Sequence, residues 1–292
     1  MFEMDQIAAA YLGALRSGRR PGRDLVDFLA AMTREEFSGS SRRVARNAVV
    51  GFLEDNEIEL SHIEAKNVRK RLGNTSPVAQ EDNISIEILR QFLPHMRTPY
   101  RTMALVLLAT GARVGEVLQL RTSDIDLDAT PAKVTFRRGT TKTRTGRFSF
   151  LTPEAVDAVR AWLAVRDDYI KSARARAANL SNGEGENRDG FLFPFSDTVF
   201  FFAWKSALKK AGLFSQCEET GRATIHPHGL RKYFRTYFGA AAGVDVAEAL
   251  MGHQGYLAGA YVRLTEQDLA TAYAANAYVL TVSQGGSGDL VR

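Results

Sequence analysis

The apolar pattern of this chain changes period once. Through most of its 292 residues apolar positions recur at helical spacing, but between 133 and 151 they alternate. Lys133-Val134-Thr135-Phe136 and Arg147-Phe148-Ser149-Phe150-Leu151 are strand-like runs, and GTTKTRTG between them reads as the turn of a hairpin. The expected fold is mainly α with a small β-hairpin or sheet.

Helical signals divide into two groups. In the first, Asp5 to Arg16 is rich in Ala and Leu, and Pro21 opens a helix carrying Leu25, Phe28, Leu29 and Met32. Ser40 and Ser41 can cap a third helix with Val44, Ala48, Val49, Phe52 and Leu53 on its apolar face, and Ser61 a fourth that ends near Leu72-Gly73. The stretch GNTSPVAQEDN, Gly73 to Asn83, is polar and without periodicity, which places a linker at 76–83. Beyond it, helices are expected over Ser85 to Met96, Tyr100 to Thr110 (apolar enough to be buried) and Arg113 to Leu120. A further helix starts at Thr152-Pro153 and runs toward Ala178, and Asn179 to Gly190 reads as a loop. Helical patterns resume over Ser196 to Ala211, from Leu230, from Asp245, and over Thr265 to Leu280. The tail 283–292 is expected to be disordered.

At 45% hydrophobic and 24% charged residues the composition is globular, not disordered or collagen-like. Met103 to Ala109 is apolar but far short of the roughly 20 residues of a membrane span. The first residues carry acids where a signal peptide needs positive charge, so a cytoplasmic protein without a membrane partner is expected. One cysteine, Cys217, excludes an internal disulfide and a thiolate zinc cage. It reads as core, as do Trp162 and Trp204.

The net charge of +5 is a mild pointer to nucleic acid, and the distribution is a stronger one. Between Ala129 and Thr152 stand Lys133, Arg137, Arg138, Lys142, Arg144 and Arg147 with no acid. Smaller clusters are Arg16, Arg19, Arg20 and Arg23; Arg42, Arg43 and Arg46; and Arg69, Lys70 and Arg71. Such patches suit a phosphate backbone, or are simply solvated helix faces.

His226, His228 and His253 have arginines and lysines as neighbours rather than carboxylates at metal-ligand spacing, so no metal and no other cofactor is expected. A site of Arg, Lys and His is an anion site, in which guanidinium forks match phosphate oxygens. His226, beside Pro227, reads as a local structural residue.

In order along the chain stand Arg113 in TGARVGEVLQL, Lys142 in TTKTRTG, His228 and Arg231 in HPHGLRKYF, His253 in LMGHQG and Tyr261 in AYVRL. These boxes resemble the tyrosine recombinase, or phage integrase, family: T-G-x-R-x-x-E with a later Leu, a hairpin lysine, H-x-L-R, G-H, and then a tyrosine. The wording from MGHQGYLAGAYVR onward is similar to archaeal-type integrases.

That resemblance implies a site-specific DNA recombinase working through a 3′-phosphotyrosine on Tyr261. Arg113 and Arg231 would hold the non-bridging phosphate oxygens, Lys142 would protonate the leaving oxygen, and His228 and His253 would bond the phosphate or manage the tyrosine proton. Glu116 would orient the arginines. Arg42, Arg43, Arg46, Arg137, Arg138, Arg144 and Arg147 would bind backbone phosphate. Residues 1–75 resemble the core-binding domain that clamps DNA, and 84–282 the catalytic domain. The partners implied are double-stranded DNA at an attachment site and further copies of the chain in a synaptic tetramer. A non-catalytic DNA-binding regulator derived from an integrase is the alternative.

Three other tyrosines compete with Tyr261. Tyr256 stands too close to the histidine box, while Tyr273 and Tyr278 lie in a helix with apolar spacing, which packing explains. The stripe Leu269, Tyr273, Ala277 and Leu280 needs a cover. Either it docks on a neighbouring protomer, as the resemblance implies, or it folds back on its own domain.

Overall fold

A computed structural model describes residues 2–72, 82–140, 146–179, 188–218, 221–252 and 264–283. Lys142, Arg144, His253, Tyr256 and Tyr261 lie outside the described residues, as do most of the expected linker, most of the loop after residue 179 and the tail from 284. The chain divides into two compact units, Met1–Ala79 and Gln80–Arg292.

The first unit holds α1 (Phe2–Arg16), α2 (Pro21–Arg34), α3 (Gly39–Asp55) and α4 (His62–Leu72). Its core is small: Leu25, Leu29 and Val68 are sealed by Val26, Met32, Val49, Val50, Leu60 and Leu72. Proline stands at the start of α2, where a missing N–H costs nothing. Ser61 and Glu64 form a reciprocal cap at the start of α4, with the Ser61 N–H donating to Glu64 Oε2 at 3.0 Å and the Glu64 N–H to Ser61 Oγ at 3.3 Å.

Two expectations are corrected here. Ser38, not Ser40 or Ser41, caps α3, its Oγ accepting the Ser41 N–H at 3.1 Å. Val44 is 70% exposed, because the face of α3 that meets α2 and α4 runs through Val49, Val50 and Leu53. Arg19, in one of the basic clusters, is paired with Asp24 at 2.7 Å, an acceptor it shares with the Tyr11 hydroxyl.

The second unit is built round α6 (Thr98–Thr110), in which Pro99 and every residue from Thr102 to Thr110 are buried. A helix apolar on all sides must be central. It is preceded by α5 (Ile86–Phe92), capped by Ser85, and followed by α7 (Val114–Leu118). The hairpin strands are β2 (Lys133–Phe136) and β3 (Arg147–Phe150), paired antiparallel with Phe136 opposite Arg147. A short strand β1 (Ile125–Asp126), absent from the sequence reading, pairs with β2 and makes the sheet three-stranded. Thereafter come α8 (Pro153–Asn179), α9 (Asp197–Lys210), α10 (His228–Tyr233), a wide turn at Phe234–Phe238, α11 (Gly239–Ala242), α12 (Val244–Met251) and α13 (Glu266–Asn276). Trp162, Trp204 and Cys217 are buried. Among the described residues no helix is long and apolar enough to cross a membrane.

The stripe on α13 is covered within its own unit. Leu269, Tyr273, Ala277 and Leu280 are all buried, α13 packs on α11 and α12, and the Tyr273 hydroxyl donates to Ala109 O at 2.8 Å. Docking on a neighbouring protomer is therefore not needed to hide this face. Tyr278, expected to pack, is 70% exposed because it falls in the 3-10 turn that ends the helix.

Candidate active site

The TGARVGE segment is a corner whose residues each satisfy one requirement of the backbone. Thr110 ends α6, its hydroxyl donating to Val106 O at 2.7 Å and accepting the Ala112 N–H at 3.3 Å. Gly111 takes φ +58°, and a Cβ there would stand 2.6 Å from the Phe234 ring, so both conformation and space call for glycine. Arg113 then stands at the N-terminus of α7, where Glu116, three residues on, accepts its backbone N–H at 2.9 Å.

Side chains from distant segments converge on this corner. Arg231, on α10, is 4% exposed; its Nη1 donates to Gly111 O at 2.5 Å and its Nη2 to Met251 O at 3.3 Å. Glu116 is buried and binds two guanidiniums, Arg113 Nη1 at 2.9 Å and Arg147 Nη2 at 2.8 Å. The Arg113 side chain is 34% exposed, so its guanidinium reaches both Glu116 and solvent. His228 is exposed on the first turn of α10, its ring nearly parallel to that of His226 at 6.2 Å. On α12, Glu248 is buried and pairs with Arg235.

The electrostatics follow from burial and crowding. Burial pushes the Glu116 carboxyl up, but the charge of Arg147, the Arg113 N–H and the remaining contacts outweigh it and hold the carboxyl below its ordinary value. Burial lowers Arg147, offset in part by Glu116. Arg231 is pulled down to about 10, first by burial and then by repulsion from Arg113. A buried guanidinium whose charge is penalised by burial and by a neighbouring arginine gains from any anion that arrives beside it.

Of the catalytic residues expected from sequence, Arg113 and Arg231 meet at the Gly111 corner with Glu116 beside them, and His228 opens α10. Arg147 is a correction. Expected to bind phosphate, it is 7% exposed, because the alternation that makes β3 a strand turns its side chain inward, 4.0 Å from the centre of the Phe136 ring. Arg137 is half-buried, donating to Gln119 O at 2.8 Å and paired with Asp124 at 3.1 Å, while Arg138 is exposed. In the first unit Arg42 donates to Thr33 Oγ1 at 2.8 Å, Arg46 to Asn47 Oδ1 at 3.0 Å, and Arg43 is exposed. Sequence reasoning also missed the Arg235–Glu248 pair, which no local spacing signals.

Tyr273 is removed from the nucleophile candidates on physical grounds. Complete burial raises its phenol well above the ordinary value, and its proton is committed to Ala109 O.

Residues 85–267 match the phage integrase family. No curated protein sequence matches the chain. Among solved structures it is similar to a lambda integrase dimer bound to a COC′ core site, at TM-score 0.56 and 12% identity over 99% of this chain and 92% of that one. It is similar to the Tn1549 transposon integrase in complex with transposon right-end DNA, at TM-score 0.56 and 14% identity over 91% and 92%. The XerH site-specific recombinase bound to its difH substrate is also similar, at TM-score 0.52 and 18% identity over 88% and 67%.

Proposed function

We propose, from the premise that this chain belongs to the phage integrase family and is a tyrosine-type site-specific DNA recombinase, that it breaks and rejoins DNA through Tyr261, integrating or excising a mobile element. The Tyr261 oxygen attacks the scissile phosphorus, the bond to the 5′-oxygen breaks, and Lys142 gives that oxygen a proton. The product is a 3′-phosphotyrosine and a free 5′-hydroxyl; attack by a 5′-hydroxyl reverses the step, so the bond energy is retained and no nucleotide cofactor is consumed. His228 and His253 hold the phosphate or take the tyrosine proton.

One observation carries this reading: the bonding of Arg231 to the carbonyl of Gly111, two residues before Arg113 and 120 residues away in sequence. Two guanidiniums on one corner, one buried and one partly open, can receive the two non-bridging oxygens and offset the charge that grows on them in the transition state. The DNA held by the lambda, Tn1549 and XerH proteins supports double-stranded DNA as the partner. The finer proposals are a specific attachment site, a synaptic tetramer of this chain, and a clamp made by the first unit through Arg42, Arg43 and Arg46. Arg138 and Arg144 would bind backbone phosphate, with Arg137 beside them.

The test is covalent trapping on a nicked suicide substrate. Wild type should form an adduct, and Tyr261→Phe should bind DNA equally and form none. An adduct that survives Tyr261→Phe but not Tyr256→Phe would reassign the nucleophile. Lys142→Ala should slow cleavage far more than binding, and a 5′-phosphorothiolate, whose sulfur leaves without a proton, should restore the rate. Without that rescue Lys142 is not the acid.

A further inference from the structure

The buried arginine at the start of β3 has no part in the chemistry above, yet its surroundings give it one. Arg147 Nη2 donates to Glu116 Oε2 at 2.8 Å and Nη1 to Leu250 O at 2.5 Å. Gly252 passes against the same side chain: at φ +75° it closes α12, and a Cβ there would stand 2.4 Å from Arg147 Cδ. One guanidinium thus joins the start of α7, the sheet, and the end of α12, where the next residue in sequence is His253.

Charge counting explains what a buried cation adds at this point. Without Arg147, the Glu116 carboxylate would be left bonded to Arg113 among the described residues, and that pair would carry no net charge. Arg147 raises the net charge of the group formed by Arg113, Arg231 and Glu116 by one, while the buried Glu248 carboxylate acts on Arg231 from α12. The pull on a developing phosphorane depends on that net charge, and in a buried cluster it is poorly screened. A surface arginine binding backbone phosphate would do neither this nor fix the end of α12.

We propose that Arg147 is a positioning residue of the phosphate clamp. By sharing Glu116 with Arg113 it leaves the Arg113 charge to act on the scissile phosphate, and by holding the Leu250 carbonyl it fixes the end of α12 from which the G-H box continues. The inference rests on the reading of Arg113 and Arg231 as that clamp. It assigns to Arg147 a role through other residues, not contact with DNA.

The experiment is single-turnover cleavage by the full chain on two suicide substrates, one with an ordinary scissile phosphodiester and one with an uncharged methylphosphonate there. Arg147→Met should slow the phosphodiester by about 100-fold, the scale of losing one preorganised charged group, and the methylphosphonate by less than about 10-fold, since its transition state carries one negative charge fewer for the clamp to offset. Adding Glu116→Gln to Arg147→Met should recover a large part of the loss, because the unshared carboxylate is gone. Arg147→Lys, which keeps charge but not the planar fork, should fall between. If Arg147→Met fails to fold, Arg147→Lys and Gly252→Ala, whose Cβ displaces the arginine, carry the same comparison. Equal slowing on both substrates would reduce Arg147 to a packing residue and overturn the proposal, as would no slowing by Arg147→Met. Failure of wild type to form any adduct would instead sink the recombinase reading itself.

Discussion

Tyr273 offers the sharpest test of whether α13 belongs to its own unit. The ring is fully buried, with centroids 5.4 Å from both Phe150 and Phe238, and its hydroxyl bonds Ala109 O at 2.8 Å. Truncating a large buried aromatic to alanine costs about 3–5 kcal/mol, and leaving the Ala109 carbonyl without this donor adds up to about 1–3 kcal/mol. Against a total stability of about 5–15 kcal/mol, Tyr273→Ala should consume a large part of what holds the second unit. In a unit of this size it should lower the melting temperature by roughly 10 °C or more. Tyr273→Phe, which keeps the ring, should cost about 1–2 kcal/mol. Tyr278→Ala, at a site 70% exposed, should change stability by no more than about 0.5 kcal/mol. Urea denaturation of the three variants, read by the tryptophans of the second unit, measures all of this. By the same reasoning, truncation after Thr265 removes Leu269, Tyr273, Ala277, Leu280 and Val282 from the core and should abolish cooperative folding, not just assembly on DNA. If Tyr273→Ala and Tyr278→Ala prove equally mild, or the truncated chain keeps the wild-type midpoint, then α13 is not bound in cis as described.

Gly111→Ala forces a side chain into φ +58° and against the Phe234 ring, so stability should fall by about 2–4 kcal/mol in urea; a loss below about 1 kcal/mol would mean that the corner relaxes freely. Arg231 is lowered to about 10, so above that pH and below the arginine value of the unfolded chain, the unfolded state holds the extra proton. Stability from this group should therefore rise with pH across that window, by at most about 1.4 kcal/mol per unit; parallel pH-stability curves for wild type and Arg231→Leu would refute the shift. The fragment Gln80–Arg292 carries its own core and all six proposed catalytic residues, so it should still cleave while binding DNA with a shallower salt dependence. A fragment that binds like the full chain would remove the clamp role from the first unit.

What the sequence made legible and what it hid divide along one physical line. Local requirements of the backbone leave marks in sequence. The hairpin shows as a change of period, the starts of α5, α8 and α9 as Ser85, Thr152 and Ser196, and the corner before α7 as Thr110, Gly111, Arg113 and Glu116 within seven residues. Relations set by packing leave no such mark. The cover of α13 is assembled from α11, α12 and the Ala109 carbonyl, and a stripe read alone cannot say which surface receives it. Strand β1 is two residues long, too short for alternation to register. Arg147 is hidden for a related reason: among so many basic residues its charge suggests a place at the surface, and only the pairing of β3 with β2 shows that it points in.

The same line separates the two arginines that H-x-L-R and T-G-x-R announce from the one that no motif announces. A residue that touches substrate must keep a fixed type in a fixed local frame, and that frame is what a motif records. A residue that acts by sharing a carboxylate needs only to arrive beside it, from whichever strand the fold brings. Burying it costs solvation energy, which a single partner does not return. Arg147 meets that cost with Glu116, the Leu250 carbonyl and the face of Phe136 together. Removing Glu116 alone should therefore do more harm than removing both partners of the pair. Glu116→Gln ought to destabilise the second unit by about 3 kcal/mol or more, since three guanidiniums would then crowd one buried corner without their counter-charge. Glu116→Gln with Arg147→Met ought to destabilise it less than the two single changes summed. A double-mutant cycle in urea that returns additive losses would show that the carboxylate and the buried arginine do not work as one unit, and the charge argument for the clamp would fall with it.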